Sequence, residues 1–121
     1  MDRARFKQIV TEVLNRLPAE FAAHLTNVEV IVDDEPTHAQ IRSVGLNPRE
    51  DTLFGLYEGV PIEERASGSM PLPDKITIFY RPIVEYCEPP EEIREEIRTT
   101  ILHEVAHFFG IDDQNLDAWG Y

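Results

Sequence analysis

His103-Glu104-Val105-Ala106-His107 places two histidines four residues apart with a glutamate directly after the first, and Phe108-Phe109-Gly110-Ile111-Asp112-Asp113 follows. On an α-helix, side chains at i and i+4 stand one turn apart on the same face. Two imidazole nitrogens can therefore converge on one ion, about 2.0–2.1 Å from each if the ion is zinc. Glu104, one residue along, points beside such an ion rather than at it. Its carboxylate can there take a proton from an ion-held water and pass it to a leaving amine. Gly110 lets the chain leave the helix sharply, so that a third ligand can return from the loop. Asp113 is placed for that role. Asp112 and Asp117 are its rivals, and Asp112, only two residues after the glycine, is less favourably placed than Asp113. Three protein ligands and one water make a catalytic zinc site, not a closed structural one.

A shuffled chain of this composition would show H-E-x-x-H roughly 1.6 times in 100, and with Gly110 and Asp113 also required roughly 5 times in 100,000. The alternative is a pair of histidines that merely favour the dipole at a helix C-terminus. That reading explains neither Glu104 nor the aspartate beyond the glycine.

The motif needs a helix to carry it. Glu88-Pro89-Pro90-Glu91-Glu92 announces one, with prolines at the entry and acids in the first turn, and it is expected to run to Phe109. With about 100° per residue, and Ile93 at zero, His103, His107 and Glu104 fall near 280°, 320° and 20°. Ile97, Phe108, Ile101 and Val105 fall between about 40° and 120° by the same count, a core stripe beside the histidine face. Glu104 stands on the border. Glu96 and Thr100 lie on the histidine line one and two turns earlier, where they read as a solvated face or as partners of the ligands.

The rest of the chain must supply a platform. Asp2 to Leu17 repeats apolar residues at helical spacing and stops at Pro18. Pro18 to Leu25 reads as a short second helix. Val28–Val32 is a β-branched strand. Residues 35–51 read as a loop with room for one helical turn. Leu53–Tyr57 reads as a strand interrupted by Gly55, and residues 61–74 as a long surface excursion. Lys75–Tyr80 alternates cleanly, with Ile76, Ile78 and Tyr80 on one face, Thr77 and Phe79 on the other, and Pro82 as its end. This order predicts a single α+β domain over residues 1–121.

The net charge of −12, from 23 acids against 11 bases, repels phosphate backbones and anionic lipid, so nucleic acid and membrane partners are not expected. No apolar run approaches a bilayer span and the N-terminus lacks a secretion signal, which makes the cytoplasm the expected location. The one cysteine, Cys87, allows no internal disulfide, and Glu85 and Glu88 beside it disfavour its thiolate. His24 and His38 read as ordinary surface or core-edge histidines. Tyr57, Tyr80 and Tyr86 read as packed aromatics that have a hydroxyl to offer.

The segment His103–Asp113 resembles the zincin metallopeptidase signature in its metzincin-like form, H-E-x-x-H-x-x-G-x-x-[H/D]. With Gly55-Leu56-Tyr57-Glu58-Gly59-Val60-Pro61 and Leu72-Pro73-Asp74-Lys75-Ile76-Thr77-Ile78-Phe79-Tyr80-Arg81-Pro82, it is similar to the small bacterial zincin-like metallopeptidase family. The resemblance implies a minimal zincin fold: a small mixed sheet of three to four strands, packed with an N-terminal helix and a C-terminal active-site helix. It carries over His103, His107 and Asp113 as zinc ligands and Glu104 as general base. Met70 is the last methionine, so the methionine turn of metzincins has no counterpart, and neither does the C-terminal lobe of larger zincins. Both departures count against efficient cleavage of folded proteins. Neither touches metal binding.

The expected function is zinc-dependent hydrolysis of a peptide or protein substrate that lies along the edge of the strand Ile76–Tyr80. Two rivals stand beside it. One is a metal-dependent hydrolase of another class, such as a ribonuclease, which the charge opposes. The other is a metal-holding interaction module with little turnover, and a homo-oligomer or a partner that completes the cleft would reconcile it with Glu104. Another divalent ion in place of zinc is a matter of affinity order and availability.

Overall fold

The structure, a computed structural model, describes residues 1–59, 72–111 and 114. Helix α1 (Arg3–Asn15) begins where the Asp2 carboxylate accepts the Arg5 N–H at 2.8 Å, and it buries Phe6, Ile9, Val10 and Val13. Pro18 then opens α2 (Ala19–Ala22), with one 3₁₀ turn (Ala23–Leu25) after it, and Phe21 is fully buried. Strand β1 (Val28–Asp33) leads to α3 (His38–Ser43), which carries a complete capping box between Thr37 and Gln40. That box is the reason the expected single turn holds as a helix.

Among the described residues, strands β2 (Gly55–Glu58) and β3 (Asp74–Phe79) complete a three-stranded mixed sheet in the order β1-β3-β2. β1 pairs parallel with β3, from Val28 opposite Asp74 to Asp33 opposite Phe79. β2 pairs antiparallel, from Gly55 opposite Ile78 to Glu58 opposite Lys75. The strand expected to offer an edge to substrate is therefore the middle strand. Both of its sides are taken, and the edges belong to β1 and β2. Ile76 and Ile78 on one face and Thr77 and Phe79 on the other are all buried, as a central strand covered on both sides requires.

Pro82 ends that strand as expected, but it does so inside the first turn of a helix, α4 (Tyr80–Tyr86). A proline is tolerated there because first-turn N–H groups have no intrahelical partner. Tyr80 thus opens α4 instead of extending the strand. Its ring meets Phe6 edge-on at 5.2 Å, and its hydroxyl donates to the Met1 carbonyl.

Helix α5 (Glu91–Phe109) spans the molecule and buries Ile93, Ile97, Thr100, Ile101, Leu102, Val105 and Ala106. With the buried face of α1, Ile76, Ile78 and Ile83 it forms one core cluster. Each of these isoleucines contributes about 1.5–3 kcal/mol by leaving water. Outside that core, Arg94 of α5 meets Glu12 of α1 at 2.6 Å.

Candidate metal centre and general base

The C-terminal end of α5 is set by Gly110, whose φ of +68° is left-handed and strains any residue with a Cβ. The Ile111 N–H donates to the Ala106 carbonyl at 2.8 Å and the Gly110 N–H to the His107 carbonyl at 3.4 Å. This pair of bonds is a Schellman closure, and Ile111 packs back on the core. The helix thus ends in a fixed register three residues after His107.

α5 runs along β2 in a regular register. A Cβ on Gly55 would lie 2.4 Å from the Thr100 methyl, and one on Gly59 would lie 3.0 Å from the Phe108 ring. Between them, the Tyr57 N–H donates to the Glu104 carboxylate. Strand positions 55, 57 and 59 therefore face helix positions 100, 104 and 108. Two strand residues rise about 6.6 Å and four helix residues about 6 Å, so the two elements stay in step over this length. Phe79 donates its N–H to the Phe54 carbonyl at 2.9 Å. By antiparallel alternation, the main-chain groups of Gly55 and Tyr57 turn away from β3. The Tyr57 N–H lies outside the ladder for this reason and serves Glu104.

Glu104 is half-buried, while His103 and His107 are exposed one turn apart on the same helix face. Burial lifts the Glu104 carboxyl above the ordinary carboxylate range, opposed by the Tyr57 hydrogen bond and by the charges of His107 and His103. A carboxylate that burial makes more basic and a main-chain donor holds in place is suited to accept a proton. As a metal site, the described part provides two imidazoles. Among the described residues no group of three His, Cys, Asp or Glu side chains is gathered about one point. Asp113, the expected third ligand, and its rivals Asp112 and Asp117 lie outside the described residues. The chemistry of the two nitrogen donors, and their spacing, fits zinc.

Phe108 departs from expectation. Its helical angle places it on the core stripe, yet it is 49% exposed, because the final turn of α5 reaches past the core to the end of β2. There it stacks on Tyr57, with ring centroids 4.0 Å apart. Tyr57 is packed as expected, and its hydroxyl also donates to Asp74 Oδ2 at 2.7 Å. Tyr86 is largely exposed. The Thr100 hydroxyl donates to Glu96 at 3.0 Å, so these two residues, one and two turns before His103, serve each other. His24 touches Phe109, and His38 begins α3. Burial, with Glu96 and Glu92 nearby, pushes the Cys87 thiol up, which suits an inert cysteine. The role of the Tyr57 main chain escapes sequence reading. The alternation Gly55-x-Tyr57-x-Gly59 is the one signal that a second element comes close there.

The zincin-like metallopeptidase family model matches residues 25–121, and the chain belongs to that family. Among solved structures it is similar to a conserved hypothetical protein from Thermus thermophilus, at 19% identity and a TM-score of 0.58. The likeness covers 90% of this chain and 94% of that one. It supports the fold alone. No curated protein matches the sequence. Among the described residues no helix is long and apolar enough to cross a membrane.

Proposed function

We propose that the chain is a zinc-dependent peptidase in which Glu104 is the general base, His103 and His107 are ligands and Asp113 completes the ligand set. The observation that carries this reading is the half-buried Glu104 carboxylate, fixed by the Tyr57 N–H beside two exposed histidines one turn apart. Family membership supports the metallopeptidase part of it.

Zinc held there would polarise the scissile carbonyl and acidify a water. Glu104 would accept the proton of the water whose oxygen adds to the scissile carbonyl carbon and would return it to the amine nitrogen as the C–N bond breaks, so that the carboxylate is regenerated in each cycle. The Tyr57 N–H holds the carboxylate in one orientation throughout. Because β3 is the central strand, substrate reaches Glu104 across the end of β2 and the last turn of α5. Zinc analysis of purified protein, paired with cleavage of a peptide library by wild type and Glu104→Gln, tests the assignment. Stoichiometric zinc in both proteins and cleavage by wild type alone are expected. Cleavage retained in the variant would remove Glu104 from the mechanism. Zinc without cleavage in either would favour a metal-holding module instead.

A further inference from the structure

Three aromatic side chains from three separate elements face one opening. Its volume is about 300 Å³, and its walls include His24 of the 3₁₀ turn, Tyr57 of β2, Phe109 of α5, and Asn27, Val28 and Asp74 at the strand ends. The His24 and Phe109 rings lie 4.9 Å apart. Tyr57 meets Phe109 nearly perpendicular at 6.1 Å. Phe109 remains 43% exposed and Phe108 beside it 49%. A phenylalanine left nearly half in water in the wall of a concave opening, with a second exposed one next to it in the chain, marks a surface that meets a ligand.

Tyr57 ties this opening to the reaction. Its N–H holds the Glu104 carboxylate while its side chain walls the cleft. A side chain seated in the cleft therefore belongs to a residue close to the bond cleaved by the water that Glu104 activates. Aromatic walls favour an aromatic guest, which can set its edge or face against them. The buried Asp74 in the wall and the net charge of −12 oppose an acidic one.

We propose that the His24–Tyr57–Phe109 cleft is a specificity subsite that takes an aromatic side chain of the peptide substrate. The proposal rests on the peptidase reading for its place in the reaction, but the cleft can be tested by binding alone.

The probe is a fluorescein-labelled glycine-alanine peptide of about twelve residues with one central phenylalanine, compared with versions carrying alanine, arginine or aspartate there. Fluorescence polarisation would follow binding to the zinc-loaded Glu104→Gln protein, which leaves the peptide intact. The phenylalanine peptide is expected to bind about tenfold or more tightly than the alanine and aspartate peptides, a margin typical of a filled apolar pocket. His24→Ala, remote in sequence from the metal ligands, should erase the preference with zinc content unchanged. Phe109→Leu should reduce it, and this variant keeps the test open if His24→Ala does not fold. Equal binding of all four peptides, tighter binding of arginine, or a preference that survives both substitutions overturns the subsite. Wild-type protein given the same peptides separates the two claims. Preference without cleavage removes the peptidase reading and leaves the cleft; cleavage without preference removes the cleft and leaves the peptidase.

Discussion

α5 makes two contacts of opposite kinds. Its early turns meet α1 through Ile93, Ile97 and Ile101, an interdigitated apolar interface with one ion pair, Glu12–Arg94, at its margin. Its later turns meet β2, where glycines at 55 and 59 let the helix approach the strand and one main-chain hydrogen bond fixes Glu104. The first contact supplies burial and tolerates any well-packed apolar filling. The second depends on distance. Core packing and the orientation of Glu104 are thus set by different contacts of one helix, and substitutions in the two contacts should separate them.

The largest effect belongs to the site. Glu104→Gln should cut peptide hydrolysis by about 10²–10⁴-fold, the usual worth of a positioned base, with zinc and melting temperature nearly unchanged. Ile97→Ala is the counterpart in the core. It should cost about 2–5 kcal/mol of unfolding free energy in a urea titration, while the folded fraction keeps its zinc and its turnover. An equal loss of turnover per folded molecule would mean that the two ends of α5 are not separable.

Gly55→Ala lies between these two. Its Cβ has to displace the Thr100 methyl, 2.4 Å away, at about 1–3 kcal/mol of overpacking. The helix is then pushed off the Tyr57 N–H, so turnover should fall beyond what the lost stability explains. Thr100→Ser removes that methyl, and the double variant should recover both quantities. Failure to recover turnover would count against the strand-to-helix register as the device that orients Glu104.

The smallest effect is at the α1 margin. The hydrogen bond from Arg94 holds the Glu12 carboxyl below its ordinary range. A carboxylate whose folded value is depressed stabilises the protein above its unfolded value, and that contribution is lost as pH falls through the folded one. Wild type and Glu12→Gln should therefore differ slightly at neutral pH and converge in acid, below the normal carboxylate range. Melting temperatures measured across that range would show a gap that widens in acid if the sign is wrong.

Legibility in the sequence follows the same division. The histidine face, the position of Glu104 on its border and the stop at Gly110 all depend on periodicity within one helix, and they were readable. The angle of Phe108 was readable too, but an angle fixes a direction and not what lies along it. α4 stayed hidden because Pro82 signals the end of a strand and a first helical turn equally well. The Thr37–Gln40 box gave α3 more persistence than its composition suggests.

By itself, then, the sequence determined the α+β class and a helix with two histidines and a glutamate spaced for zinc, and its motifs carried the resemblance to the family. Local periodicity and capping chemistry suffice for the class and the helix. Tertiary structure alone decided that β3 is the middle strand, that β2 lies under α5, and that a main-chain N–H of Tyr57 holds Glu104 while its ring opens onto the aromatic cleft. Every residue except proline carries such an N–H, so nothing in the sequence marks which one a carboxylate will find. Only strand order and the close approach of two elements select it.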